Sequence, residues 1–116
     1  MVRDQYYPYV RPQESGNKTD VRWASVTRAD GSGIRIQFMG DLLNVNALPF
    51  NPDQLFSGPR KQQKHSGELG PDGYTHLHVD LKQMGLGSIN SWGALPMVPY
   101  RIPYEDHRYT YMILPL

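Results

Sequence analysis

Three groups of residues in this sequence are of types that do chemistry. His76, His78 and Asp80 alternate along "HLHVD" and so share one face of an extended chain, the spacing at which two imidazoles can hold one metal ion, with His65 or Glu68 as a further ligand. The opposing reading of that face is a row of polar side chains turned to water. Glu14, Glu68 and Glu105 raise a second chemistry, the carboxylate pair of a glycosidic cleavage, which needs about 5–5.5 Å or about 6.5–9.5 Å between the two groups according to mechanism. Each of them also sits in a turn or loop that explains it locally. The third is Trp92 in "QMGLGSINSWGALP". Gly85, Gly87 and Gly93 let this segment fold tightly, and Asn90 and Ser91 can bond to its own backbone and stiffen it. Two uses of such a ring stand side by side: a plug in the core, or a rigid platform for a ligand such as the flat, apolar C–H face of a sugar. No nucleophile elbow, phosphate loop or dinucleotide fingerprint occurs.

What positions these residues is a chain of 116 residues, the size of one domain or part of one. Apolar residues make up 39%, and 11 glycines with 10 prolines leave no room for long helices but suit short strands joined by turns. The composition therefore predicts an all-β fold. A formal charge of +1, with both signs dispersed, gives no footprint for nucleic acid or an anionic membrane. Cysteine is absent, which excludes disulfides and thiolate chemistry and is compatible with either redox compartment. No apolar run approaches the ~18 residues of a spanning helix, and the first residues have neither the basic region nor the apolar stretch of a signal peptide.

Residues 1–19 read as an extended aromatic arm, with Tyr6, Tyr7 and Tyr9 calling for a surface to pack on. Residues 20–116 read as sandwich strands and loops. A strand is expected over 20–27, with Val21, Trp23 and Ser25 on one face and Trp23 held in the core. "RADGSG" then turns the chain into "IRIQFMG", where Ile34, Ile36 and Phe38 alternate with Arg35 and Gln37. "LLNVNALPF" reads as a third strand with Asn44 and Asn46 facing out. Asn51, Pro52 and Asp53 predict a short helical turn. Residues 57–73 form a long polar loop. "YTHLHVDLKQM" predicts a strand with Thr75, Leu77, Val79 and Leu81 inward and His76, His78, Asp80 and Lys82 outward. "RYTYMILPL" predicts a last, largely buried strand, Tyr109, Tyr111 and Ile113 opposing Thr110, Met112 and Leu114.

Taken together, "DQYYPYVRPQESGNKTDVRW", "RKQQKHSGEL", "HLHVDLKQMGLGSINSWGALP" and "YRIPYEDHRYTYMILPL" resemble, in order and over nearly the full length, the C-terminal domain of the large beta-galactosidases of glycoside hydrolase family two. The resemblance implies an antiparallel β-sandwich that forms part of a galactose-mutarotase-like super-sandwich, the later portion of a fifth domain whose earlier half lies upstream of Met1. It implies a parent that hydrolyses terminal beta-galactosides with retention, through two glutamates on a separate (β/α)₈ barrel domain. No catalytic position carries onto this chain. The tryptophan of the family's "SW" reaches the barrel and forms part of the sugar-binding wall, and Trp92 matches it, flanked by Ser91 and Asn90. Cofactors are implied only for the parent, whose Mg and Na ions are held by other domains. The arginine, proline and glutamate of "RPQESG" match as structural ties toward the rest of the enzyme. The sequence departs from the family at Gly87-Ser88-Ile89, where many relatives have Gly-Gly-Asp, so a carboxylate beside the platform is lost.

The expected partners are thus a galactoside and the barrel domain of the same chain, with the chain by itself inactive. Self-association by strand pairing or through the tyrosine arm is also expected. Two other functions remain open on the residues alone: an autonomous carbohydrate-binding module using Trp92 with Tyr100 or Tyr104, and a metal site at His76 and His78.

Overall fold

A computed structural model describes residues 1–56, 58–59, 64–85, 90 and 92–116. The described chain is all-β, with six strands in two antiparallel three-stranded sheets, as the composition predicts. Strand β1 (Lys18–Val21), β4 (Leu43–Leu48) and β5 (His76–Asp80) form one sheet in the order β1-β4-β5. Strand β2 (Trp23–Thr27), β3 (Gly33–Met39) and β6 (Thr110–Pro115) form the other in the order β2-β3-β6. The remaining regular elements are short 3₁₀ turns. No described helix is long and apolar enough to cross a membrane. The chain divides into two compact units, residues 1–19 with 45–79 and residues 20–44 with 80–116.

In the second unit the β2–β3 hairpin is built as its turn chemistry dictates. Asp30 accepts from both the backbone N–H (2.9 Å) and the hydroxyl (2.7 Å) of Ser32, and the N–H of Arg28 donates to the carbonyl of Ser32 at 2.8 Å. The Ser32 hydroxyl, then its backbone N–H, hold the Asp30 carboxyl below its ordinary value. The register pairs Ala24 with Ile36 and Val26 with Ile34, and β6 adds Ile113 opposite Ile36 and Tyr111 opposite Phe38. Ile36 and Phe38 are the buried residues of that face.

This register corrects the placement of Trp23. Its partner is Gln37, so it stands on the face opposite Ile36, 51% exposed, with the Arg35 guanidinium 4.4 Å from its ring centroid. Ala24 and Val26 are the β2 side chains on the Ile36 face. The expected single strand over 20–27 is likewise two strands in different sheets. The break falls at Arg22, whose carbonyl accepts from the Phe38 N–H (3.1 Å) and the Gln37 amide (3.3 Å), and Asp20 just before it takes a positive φ of 55°.

Strand β4 corrects a second expectation. Asn44 and Asn46 do not face out: β4 is the central strand of its sheet and is buried on both faces, with Asn46 only 1% exposed. A buried amide must find partners. The Asn46 Nδ2 donates to Glu14 at 2.8 Å, and the Asn44 Nδ2 reaches the carbonyl of Leu81 at 3.5 Å. In the first unit Val45, Leu48 and Phe50 are buried, and Tyr6 of the N-terminal segment meets Phe50 edge-on, ring centroids 5.2 Å apart. The Ser66 hydroxyl donates to the carbonyl of Tyr9, so the tyrosine segment is tied down at two places. Asn51 accepts from the Asp53 N–H at 2.9 Å and starts the 3₁₀ turn Pro52–Leu55.

The last strand departs most. β6 is exposed along its whole length instead of buried: among the described residues it pairs only with β3, and no described residue covers its faces enough to bury it. β5 is shorter than the expected 74–84, and all five of its residues are half-buried, so the sharp inward and outward division is not seen.

Candidate functional site

Trp92 is 91% exposed, which sets aside the core plug. The turn beneath it is closed by one side chain. Asn90 Oδ1 accepts from the Trp92 N–H at 2.9 Å and from the Ala94 N–H at 3.4 Å, the Asx arrangement in which a side chain replaces a backbone carbonyl. Gly93 follows with a φ of +90°, a conformation in which any other residue is strained. The two features turn the chain sharply just where the ring is mounted. Ser91, and the Gly87-Ser88-Ile89 departure, lie outside the described residues.

The chain beyond Trp92 is also aromatic and open. Tyr100 and Tyr104 are exposed, as are Leu95, Met97 and Val98. This segment is shaped by its own bonds: the Tyr100 N–H donates to the carbonyl of Met97 at 2.8 Å, and Arg101 Nε to that of Pro96 at 2.5 Å. Chemically it offers apolar and aromatic surface with hydroxyl edges, suited to binding.

The histidine face is organised differently from a metal centre. His76 Nε2 lies 2.7 Å from Asp72, whereas His78 Nδ1 lies 3.5 Å from Glu14, so each imidazole engages its own carboxylate. Among the described residues no group of three or more His, Asp or Glu side chains converges that could hold a metal ion. Glu14 thus carries Asn46 and His78, Glu68 accepts from the backbone N–H of His65, and Glu105 stands 4.0 Å from His107. All three glutamates have partners within the chain.

Asp72 gives this face a pH dependence. Partial desolvation is the largest single influence and raises its pKa, but the Tyr74 N–H, the hydrogen bond to His76 and the charge of His76 together outweigh it and hold the carboxyl below its ordinary 3.8. A depressed carboxylate stabilises the fold fully above the unfolded value, and the contribution disappears as pH falls through the folded one. Melts of the wild type and Asp72→Asn from pH 7 to pH 3 should therefore differ at neutral pH and converge in acid; a constant difference would remove the charge from the explanation.

Trp23 with Arg35, and Glu14 with Asn46, are pairs that sequence reasoning missed. Glu14 and Asn46 lie 32 residues apart along the chain, and Trp23 and Arg35 meet across the β2–β3 hairpin.

Comparison with known proteins decides the family. The family model described as "Beta galactosidase small chain" matches residues 1–113. The chain belongs to this beta-galactosidase small-chain family. Its relatives in the beta-galactosidase family include the beta-galactosidase of Priestia megaterium, 38% identical over 109 residues that cover 94% of this chain and 10% of that protein. The beta-galactosidase of Halalkalibacterium halodurans is 38% identical over 93 residues, 80% of this chain and 9% of that one. Beta-galactosidase BgaC of Bifidobacterium adolescentis is 31% identical over 105 residues, 89% of this chain and 10% of that one. The chain thus spans about a tenth of the length of these curated beta-galactosidases.

Proposed function

We propose that this chain is a non-catalytic domain of a beta-galactosidase that hydrolyses terminal beta-galactosides, and that Trp92 completes the sugar pocket of that enzyme. The observation that carries the reading is the open indole of Trp92 on a turn closed by Asn90. A ring held this way loses little freedom on meeting a ligand, because the backbone beneath it is already fixed. Its apolar face meets the C–H face of a galactose unit, while the hydroxyls of that unit are read by groups elsewhere in the parent. The glutamates of this chain have structural partners, in keeping with catalysis being done on another domain. Asn90 acts as a positioning residue for the indole, and Ser91 is proposed beside it as a substrate-binding residue on the sequence match alone.

Because the oxocarbenium-like transition state carries developing positive charge, an electron-rich indole face against it would favour it over the ground state, which the kcat of Trp92→Ala in the parent reports. The first test is an assay of the purified chain on a chromogenic galactoside beside the full-length parent. Turnover is expected from the parent alone. Hydrolysis by the chain at rates comparable with the parent would overturn the reading, and millimolar or tighter binding of galactose lost in Trp92→Ala would instead make it an independent binding module.

A further inference from the structure

The end of β5 and the segment leading to β6 enclose a cleft of about 200 Å³ lined by Asp80, Leu81, Lys82, Ile102, His107 and Tyr109, all in the second unit. Its walls are ordered. The carbonyl of Leu81 meets the buried Asn44 amide, His107 Nε2 lies 3.3 Å from the carbonyl of Pro103, and the Tyr109 ring is stacked on Tyr111 with centroids 6.1 Å apart. Asp80 is half-buried, and among the described residues neither its carboxylate nor the Lys82 ammonium has a hydrogen-bond or ion-pair partner. Both line the same cleft. A half-buried carboxylate left without a protein partner needs one from water or a ligand.

We infer that this cleft binds a single pyranose ring, Asp80 accepting from and Lys82 donating to neighbouring hydroxyls while Ile102 and Tyr109 meet the C–H face of the ring. The volume is below the roughly 300–1,000 Å³ of sites that hold drug-sized ligands, which suits a ligand as small as one ring. One anionic and one cationic group side by side favour neither an anion nor a cation, and a hydroxyl satisfies both because it donates and accepts. A zwitterion offers the same pairing at a greater desolvation cost. The choice of a sugar rests on the beta-galactosidase reading; the placement of the site does not use Trp92.

The test is a ¹⁵N NMR titration of the 116-residue chain with galactose, with glucose and with serine. Saturable shifts at Leu81, Lys82, His107 and Tyr109 are expected with one or both sugars, with dissociation constants on the order of 1–10 mM. Preference for galactose would mark the site as one for the product, and equal binding as one for any pyranose; either supports the inference. Asp80→Asn should weaken binding about tenfold. Lys82→Ala, at an exposed position that leaves the fold intact, should weaken it similarly, and Trp92→Ala should leave it unchanged. Absence of saturation by about 100 mM sugar, equal binding of serine, or indifference to both cleft variants would overturn the inference. Loss of binding in Trp92→Ala alone would place the sugar on the indole, ending this inference and favouring the independent binding module, whereas absence of any binding ends this inference alone.

Discussion

Trp92→Ala, made in the full-length parent, is expected to raise KM for a galactoside about 10- to 100-fold. The size follows from the ~1.5–3 kcal/mol that burying a large apolar side chain contributes and from ~1.4 kcal/mol for each tenfold change. The stability of the 116-residue chain by itself should not change with the same substitution, because there the ring is almost wholly exposed and its removal opens no cavity. The division between constants is informative. A rise in KM with kcat preserved means that the indole binds substrate and transition state equally, while a fall in kcat as well means that it favours the transition state. Asn90→Ala should produce a smaller loss of the same kind, since it loosens the turn and leaves the ring in place. A parent indifferent to Trp92→Ala would remove the indole from the pocket.

Gly33→Ala is expected to lower the melting temperature of the chain by roughly 5–15 °C, from a destabilisation of about 1–3 kcal/mol. A Cβ at this position would stand 2.1 Å from the carbonyl oxygen of Val26 and 2.8 Å from the Cα of Thr27, both backbone atoms with no rotamer to give way. The clash falls where all three strands of a sheet meet. Gly33 pairs with Thr27 of β2 and exchanges backbone hydrogen bonds of 3.2 and 2.9 Å with Leu116 just past β6. Gly31→Ala two residues earlier is the control. Nothing lies within 4 Å of its Cβ, and only its φ of +89° opposes the change, at about 1–2 kcal/mol. Thermal melts of the two variants should rank Gly33→Ala below Gly31→Ala; the reverse order would mean that backbone conformation, not space, limits this hairpin.

The features legible in the sequence were those whose causes are local. The turn at Asp30 to Gly33, the alternation of Ile34, Ile36 and Phe38, and the Asn51 cap are each decided by residues within a few positions of one another. The beta-galactosidase family was also legible, through motifs spread along most of the chain. What could not be read depends on which strand lies beside which. Asn44 and Asn46 look solvent-facing by type, but the central position of β4 buries them and Glu14 and Leu81, remote in sequence, supply the partners. Trp23 has the type of a core residue, yet a register fixed by Ala24 and Ile36 turns it to the other face, where Arg35 covers it. The apolar composition of β6 suits a doubly covered strand, but composition does not show that its faces stand uncovered among the described residues. At the candidate site, Asn90 and Gly93 announce a tight turn, whereas the exposure of Trp92 depends on where the rest of the unit folds.

The most direct measurement is the structure of the full-length parent with a galactoside bound. The indole of Trp92 should lie within about 4.5 Å of the ring carbons of the galactose, the range of apolar contact, on a turn still closed by Asn90. A sugar seated well beyond contact distance, with the indole packed instead against its own domain, would contradict the account.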